Sequence, residues 1–539
     1  MARWLTFTTA AAHGAPLWWL GLAILLLTAI IPTFGATAKS LTLPNAIPEA
    51  HLQAVDLKSI SRRIHLTTAT VRESISVIIK NRGTGELQDL YWVVPESEDP
   101  QVGLIYASFS KPDIPLKATR LDDVVTRSDG TAYRLYHLRL DPAMPPQQQR
   151  SLGLLIVHTA ALEPLPHSIP QHGKQLLWYT GNTYVNSLYA VAKQTTEVLL
   201  PTSITESHAD QPKPFRMRGT DLVYGPYKSA EPLAYAPLTV HFPHQVPAVW
   251  LPSVRRHIEI SHWGGQLTVN DHAVVRNNGA TLKGHYERTL MTRPGMTSGF
   301  LLNFFQTPLP ATATNVHFRD EVGNVSTTFL RPGKDQAVLQ FNTRYPLAGG
   351  WIYNWNHGYS QPLADVLRYD STTQRYNLMT TLPFLFPNAT VEQSMLEVVL
   401  PEGATDIHVR TAADVDNLSQ DTYYTYMDSI GRPMITLARR LVVDELSQYP
   451  IIISYRYDML ALLRKPFHLA LLFFVLFFFA SIVSRVDYNL PNRRRGDAKA
   501  AEQSTVKVPL PESKPEVPAS PETPEKSASM KRRKKKSNK

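Results

Sequence analysis

Two acidic patterns in this 539-residue chain have the residue types for catalysis. Asp414-Val415-Asp416 matches the Asp-x-Asp arrangement with which many glycosyl-transferring enzymes hold a divalent cation and the donor phosphates. Its neighbours Asn417 and Ser419 are turn-forming residues, which points to a surface loop instead. Asp320-Glu321 is an acid pair, but adjacent residues of a strand face opposite sides. A turn-edge role is expected for it. The 18 histidines show no His-Glu-x-x-His or similar ligand spacing, and there is no Gly-x-Ser-x-Gly elbow or phosphate loop. No catalytic residue, metal or cofactor is expected. A different chemistry is written three times: Asn324-Val325-Ser326, Asn388-Ala389-Thr390 and Asn417-Leu418-Ser419 are acceptor sequons for N-glycosylation, expected in accessible loops. Asn324 ranks first because Gly323-Asn324 is a turn signal between two β-leaning runs, and Asn388 follows with its Thr acceptor.

Glycosylation requires export, and two apolar runs bear on it. Residues 17–31 form a fifteen-residue run closed by Pro32, short for a membrane span of about 20 residues and suited to a signal-peptide core. Ala36-Thr37-Ala38 puts small residues where a signal peptidase reads, so cleavage is expected after Ala38, leaving Lys39 first; a cut after Gly35 and a retained anchor are the alternatives. Residues 466–484 carry six phenylalanines and no charge, enough for one span. Arg464 and Lys465 precede it, whereas Arg485, Arg493, Arg494, Arg495 and Lys499 follow it, which places the C-terminal side in the cytosol. The expected topology is type I.

The net charge of +10 is concentrated in the tail, where residues 485–539 hold fifteen Lys/Arg against seven Asp/Glu. The body is therefore near neutral, and the overall pI of 9.4 says little about it. The tail is rich in proline and has no aromatic residue after Tyr488, so it is expected to be disordered, with basic residues suited to anionic lipid or ribosomal RNA. The absence of cysteine means that exported domains must stand on their hydrophobic cores alone.

The body contains an internal echo. Ser61-Arg62-Arg63-Ile64-His65-Leu66 recurs as Val254-Arg255-Arg256-His257-Ile258-Glu259, at an offset of 193. Ile78-Ile79-Lys80-Asn81-Arg82-Gly83 recurs as Val274-Val275-Arg276-Asn277-Asn278-Gly279, and Glu197-Val198-Leu199-Leu200-Pro201 as Glu397-Val398-Val399-Leu400-Pro401. The offset grows in order, as in a tandem duplication with small insertions. Runs rich in Val, Ile, Thr and aromatics at 75–79, 152–158, 196–200, 267–276, 338–341, 396–400 and 451–457 read as strands. The expected fold is mainly β: a signal peptide at 1–38, two tandem β-sandwich-like luminal domains at 39–250 and 251–463, a transmembrane helix at 464–485 and a disordered basic cytosolic tail at 486–539. Pro243, Pro247 and Pro252 are expected to break any regular element at the join. His262-Trp263 suits either a contact platform for another protein or a buried strand-end Trp beside a partnered His.

Several stretches together resemble the ribophorin I family. They are Phe318-Arg319-Asp320-Glu321-Val322-Gly323-Asn324-Val325-Ser326-Thr327, Ser261-His262-Trp263-Gly264, Gly279-Ala280-Thr281-Leu282-Lys283-Gly284, Arg344-Tyr345-Pro346-Leu347-Ala348-Gly349-Gly350-Trp351, Leu400-Pro401-Glu402-Gly403-Ala404 and Thr425-Tyr426-Met427-Asp428-Ser429-Ile430-Gly431-Arg432-Pro433. The likeness spans about 253–490 and is thinner before it, where Gly181-Asn182-Thr183-Tyr184 and Tyr224-Gly225-Pro226 carry it. The resemblance implies a non-catalytic subunit of the oligosaccharyltransferase complex of the endoplasmic reticulum membrane. Its implied partners are the other subunits, including the multi-span catalytic one, the membrane and the nascent polypeptide. Animal members carry a long helical cytosolic region after the span where this chain has a short basic tail, which puts ribosome contact in doubt. Tandem β domains on one span also suit a free-standing type I receptor or adhesion protein, although such ectodomains usually carry disulfides.

Overall fold

The computed structural model describes residues 47–486 apart from 111–112, 293–298 and 427. The expected signal segment, the expected cut between Ala38 and Lys39 and the tail from 487 lie outside the described residues. The described chain is mainly β with large mixed sheets, and it divides into a unit ending at Pro466 and a second beginning at Phe467.

Five strands organise the first half: β1 (Val55–His65), β2 (Val71–Asn81), β3 (Gln149–His158), β4 (Val191–Leu199) and β5 (Asp221–Ala230). In β2, Val71, Glu73, Ile75, Val77, Ile79 and Asn81 are buried while the residues between them are not, the period-two pattern of a strand with one face on a core. The five lie in the order β5-β4-β1-β2-β3 within a ten-stranded sheet, with β1 and β4 parallel and the other neighbours antiparallel. A four-stranded sheet lays Leu177, Tyr179, Val240 and Phe242 against Ile64, Val71, Val198 and Tyr224 of the large one.

The second half repeats this arrangement with β6 (Val249–Ser261), β7 (Gln266–Asn277), β8 (Ile352–Pro362), β9 (Thr390–Val399) and β10 (Arg432–Val442). Their order is β10-β9-β6-β7-β8, again with a single parallel pair, β6 with β9. Register is shared residue by residue. Arg62 lies opposite Thr196 and Ile75, and Arg256 lies opposite Leu396 and Asp271. The first echo is therefore offset by 194 rather than 193. The reason is side-chain alternation: Arg62 and Arg256 both point inward, whereas Arg255 is exposed. Both halves also carry a bulge at the same place, after Leu57 in β1 and after Trp250 in β6. Pro252 sits in that second bulge, so β6 runs through it unbroken, contrary to expectation; a bulge spares proline from donating to the ladder.

An antiparallel pair inserted between β2 and β3 is matched by one between β7 and β8. Leu87–Pro95 pairs with Ala132–Met144, and Leu302–Pro310 pairs with Gln336–Leu347. In each, the first leucine faces the last residue of the partner, Met144 or Leu347. The halves also bond to each other. Ser168-Ile169 pairs with Thr281-Leu282, and Arg72 bridges to Asp444 at 3.0 Å and Glu445 at 2.7 Å.

Considered by itself, the apolar helix α1 (Arg464–Arg485) is 22 residues long, about 33 Å at 1.5 Å per residue, enough for a bilayer core. Pro466 is its third residue, within the turn whose N–H groups have no helical partner.

Candidate functional site

The acidic patterns serve as turn anchors. Asp320 accepts the Tyr353 hydroxyl at 3.0 Å, the N–H groups of Val322 and Gly323 at 3.0 Å each, and the Arg344 guanidinium. Arg344 holds its carboxyl below the usual range. Glu321 points elsewhere and accepts from Asn354 at 2.7 Å. Asp416 accepts the Arg440 N–H at 2.7 Å. Among the described residues no three His, Asp or Glu side chains are grouped to hold a metal ion.

Each half buries an Arg–carboxylate–His set that the sequence did not announce. Arg62 on β1 donates to both oxygens of Glu73 on β2, at 3.1 and 2.5 Å, with His158 of β3 at 3.8 Å. Arg256 on β6 donates to both oxygens of Asp271 on β7 at 2.7 Å, with His357 of β8 at 3.4 Å. Trp355 donates to Nδ1 of His357, so the ring proton lies on Nε2, toward Asp271. Burial lowers the pKa of both His158 and His357, the latter to about 4. Glu98, close to the first set, is pushed up to about 7 by burial and by Glu73. These residues are locked into fork-shaped pairs between strands, and Arg62 also donates to the Asn182 carbonyl at 2.5 Å. The arrangement tethers strands. The sequence signal was the repeated inward arginine; its partners, 11 and 15 residues away, required the register.

The family-like stretches gather in space. Gly349 lies against Ala280, whose carbonyl a Cβ at 349 would strike, and Gly350 donates to the Asn277 carbonyl at 2.7 Å. Three other stretches meet where the body ends. His262 bonds the Tyr455 hydroxyl at 2.8 Å and stacks on Tyr457 at 4.7 Å. Glu402 accepts the N–H groups of Ser429 at 2.7 Å and Ile430 at 2.9 Å. Asp428, with a fully shielded side chain, accepts Lys465 at 2.7 Å, Arg432 at 3.3 Å and the N–H and hydroxyl of Thr425 at 2.7 and 2.6 Å. Burial pushes this carboxyl up, but the bonds to Lys465 and Thr425 outweigh it and hold the group at about 2. Lys465 is the last cation before the apolar run, so this cluster fixes the loop after Tyr423 to the place where the chain leaves the body. Of the pair singled out in the sequence, His262 is partnered, while Trp263 is exposed rather than buried.

The three sequon asparagines are exposed. Asn324 lies in the two-residue strand Gly323–Asn324 and accepts from Arg319 at 2.9 Å. Asn417 opens the edge strand Asn417–Tyr423, so two of the three sit on strands rather than in loops. Asn388 lies in a turn with φ of 60°, and its N–H donates to Asp444; Thr390, the third residue of its sequon, is buried at the start of β9.

Residues 55–484 match the family model described as Ribophorin I. The chain is similar to subunit 1B of the dolichyl-diphosphooligosaccharide–protein glycosyltransferase of Arabidopsis thaliana, 28% identical over 445 residues, covering 81% of this chain and 94% of that protein. Subunit 1A of the same plant is 29% identical over 440 residues, covering 80% and 70%. Subunit 1 of Caenorhabditis elegans is 29% identical over 448 residues, covering 83% and 75%.

Proposed function

The chain belongs to the ribophorin I family, and from that premise we propose that it is a non-catalytic subunit of the oligosaccharyltransferase complex. In this role it supports transfer of a lipid-linked oligosaccharide to asparagines of nascent proteins at the endoplasmic reticulum membrane. The observation that carries the reading is the family match, which runs unbroken through the body and into the span. The relatives are named as subunits of the transferase. A structural role is supported further by where the acidic groups go, since each of the two candidate patterns is engaged in turn or strand bonds.

The finer organisation we propose is a signal peptide cleaved between Ala38 and Lys39, two β-sandwich-like luminal domains at 39–250 and 251–463, and a cytosolic tail at 486–539. The repeated strand order supports the two-domain reading. Glycans are placed on Asn324, Asn388 and Asn417, all exposed. The partners are the multi-span catalytic subunit and the other subunits, with the nascent polypeptide passing the luminal face. Ribosome contact is not part of the proposal. Affinity purification in mild detergent tests the function. A stoichiometric complex containing a multi-span transferase is expected, and recovery as a monomer at the cell surface would establish the receptor alternative instead.

A further inference from the structure

The end of the second half that hands the chain to the span carries an apolar rim. Trp263 is 69% exposed and Tyr426 is 90% exposed, and Tyr424, Ile430, Leu460 and Leu463 are also open. Strand register puts them together. Glu259 of β6 lies opposite Val399 of β9, Val399 opposite Met434 of β10, and Pro433 opposite Thr422 of the edge strand. The turn after β6, which holds Trp263, and the loop after the edge strand, which holds Tyr424 and Tyr426, therefore leave the sheet at one end. The chain reaches Leu460 and Leu463 from the same end, because Tyr455 and Tyr457 are held against His262.

We propose that this rim rests in the headgroup layer of the luminal leaflet, so that the body is moored to the lipid surface by Trp263, Tyr424, Tyr426 and Ile430 in addition to its span. Two features select lipid as the occupant. The first is continuity: Lys465, one residue before the apolar run, is ion-paired to Asp428, so the loop bearing Tyr426 cannot lie far from the bilayer surface the chain is about to cross. The second is chemistry. Tyrosine and tryptophan present an apolar ring with a polar tip, the composition enriched at membrane–water interfaces, and leucines beside the start of a span suit the adjoining acyl boundary. Of the carboxylates at the rim, Asp428 is matched by Lys465 and Arg432, Glu402 accepts the Ser429 and Ile430 N–H groups, and Asp458 accepts the Leu460 N–H. The inference needs only that residues 466–484 span a bilayer, and it stands apart from the assignment to the transferase complex.

The absence of cysteine makes the test direct, since each introduced thiol is unique. The full chain carrying Tyr426→Cys or Trp263→Cys is labelled with an environment-sensitive fluorophore and reconstituted without partners into phosphatidylcholine vesicles. Some vesicles contain a lipid bearing a nitroxide near the headgroup. The control is Val246→Cys, also exposed but beyond the opposite end of β6, about 40 Å away at ~3.3 Å per residue. Blue-shifted emission at 426 and 263, with nitroxide quenching several-fold above the control, is the expected result. Labels at 426 and 263 that are quenched by aqueous iodide and not by the lipid would overturn the proposal and leave the rim as a surface for a protein partner.

Discussion

Asn81 and Asn277 stand at the same register at the ends of β2 and β7 and make the same set of bonds. Each accepts the N–H of the glycine two residues on, Gly83 at 2.8 Å and Gly279 at 3.0 Å. Each amide then donates to two carbonyls, those of Gly85 and Met144 in one half and of Phe300 and Leu347 in the other. Met144 and Leu347 are themselves equivalent, being the last residues of the inserted strand pairs. One buried side chain thus ties the end of a central strand to the end of the strand pair inserted after it.

Asn277→Ala should orphan two buried carbonyls and one N–H, at about 1–3 kcal/mol for each group that water cannot reach. A fall of several degrees in melting temperature is expected for the detergent-solubilised protein. The same change at Asn81 should behave alike, and a variant within one degree of wild type would refute the strand-end role.

The buried forks give an asymmetric expectation. Arg256→Met alone leaves Asp271 unpaired and should cost about 3–5 kcal/mol, whereas Arg256→Met with Asp271→Leu should recover most of that loss. Chemical denaturation of the two single variants and the double closes the cycle. Additive losses would mean that the two groups do not act as a pair.

Acid should weaken the second half by way of His357. Its folded value of about 4 lies below the ordinary 6.5, so between those values the unfolded chain binds a proton that the folded chain refuses. The stability associated with keeping the ring neutral is complete above pH 6.5 and is lost as pH falls toward 4, by about 3 kcal/mol at ~1.4 kcal/mol per pKa unit. His357→Gln should flatten unfolding curves compared at pH 7.5 and 4.5. An unchanged pH slope would assign the acid sensitivity elsewhere.

Asp428→Asn keeps the shape of the side chain and removes its charge. Amide hydrogen exchange in residues 424–431 should rise, because the bonds from Lys465 and Arg432 lose their charge assistance. Unchanged protection would show that Glu402, through Ser429 and Ile430, suffices to hold the loop.

For the modification sites, Asn→Gln at 324, 388 and 417 should each remove one glycosidase-sensitive step in gel mobility, and N-terminal sequencing should begin at Lys39. A chain retaining residues 17–31 would overturn the type I topology. Deleting 496–539 should leave location and assembly intact, because both are expected to rest on the luminal body and the span.

Much of the β framework was legible because alternation in stretches such as Val71–Asn81 reports a half-buried strand directly, and the echo between Asn81 and Asn277 marks equivalent strand ends. What stayed hidden depended on register. Arg62 and Arg63 are indistinguishable as letters, and it is alternation with the buried Ile60 and Ile64 that turns Arg62 inward to Glu73. Pro252 reads as a breaker until the matching bulge in β6 accommodates it. Trp263 reads either as a contact platform or as a buried strand-end residue, and its exposure follows from a hairpin turn that carries it past the end of the sheet.

The parallel pairing of β1 with β4, and of β6 with β9, has a consequence in time. Arg63 meets Glu197 across 134 residues of chain, and His257 meets Glu397 across 140. Neither central sheet can close until synthesis has passed its fourth principal strand, and contacts of such long range form slowly. Each half therefore passes through an interval in which its hairpins exist but its centre is open. Thr390, buried once β9 has docked beside β6, is reachable only within that interval. Any sugar placed on Asn388 is attached to a chain that has not finished folding.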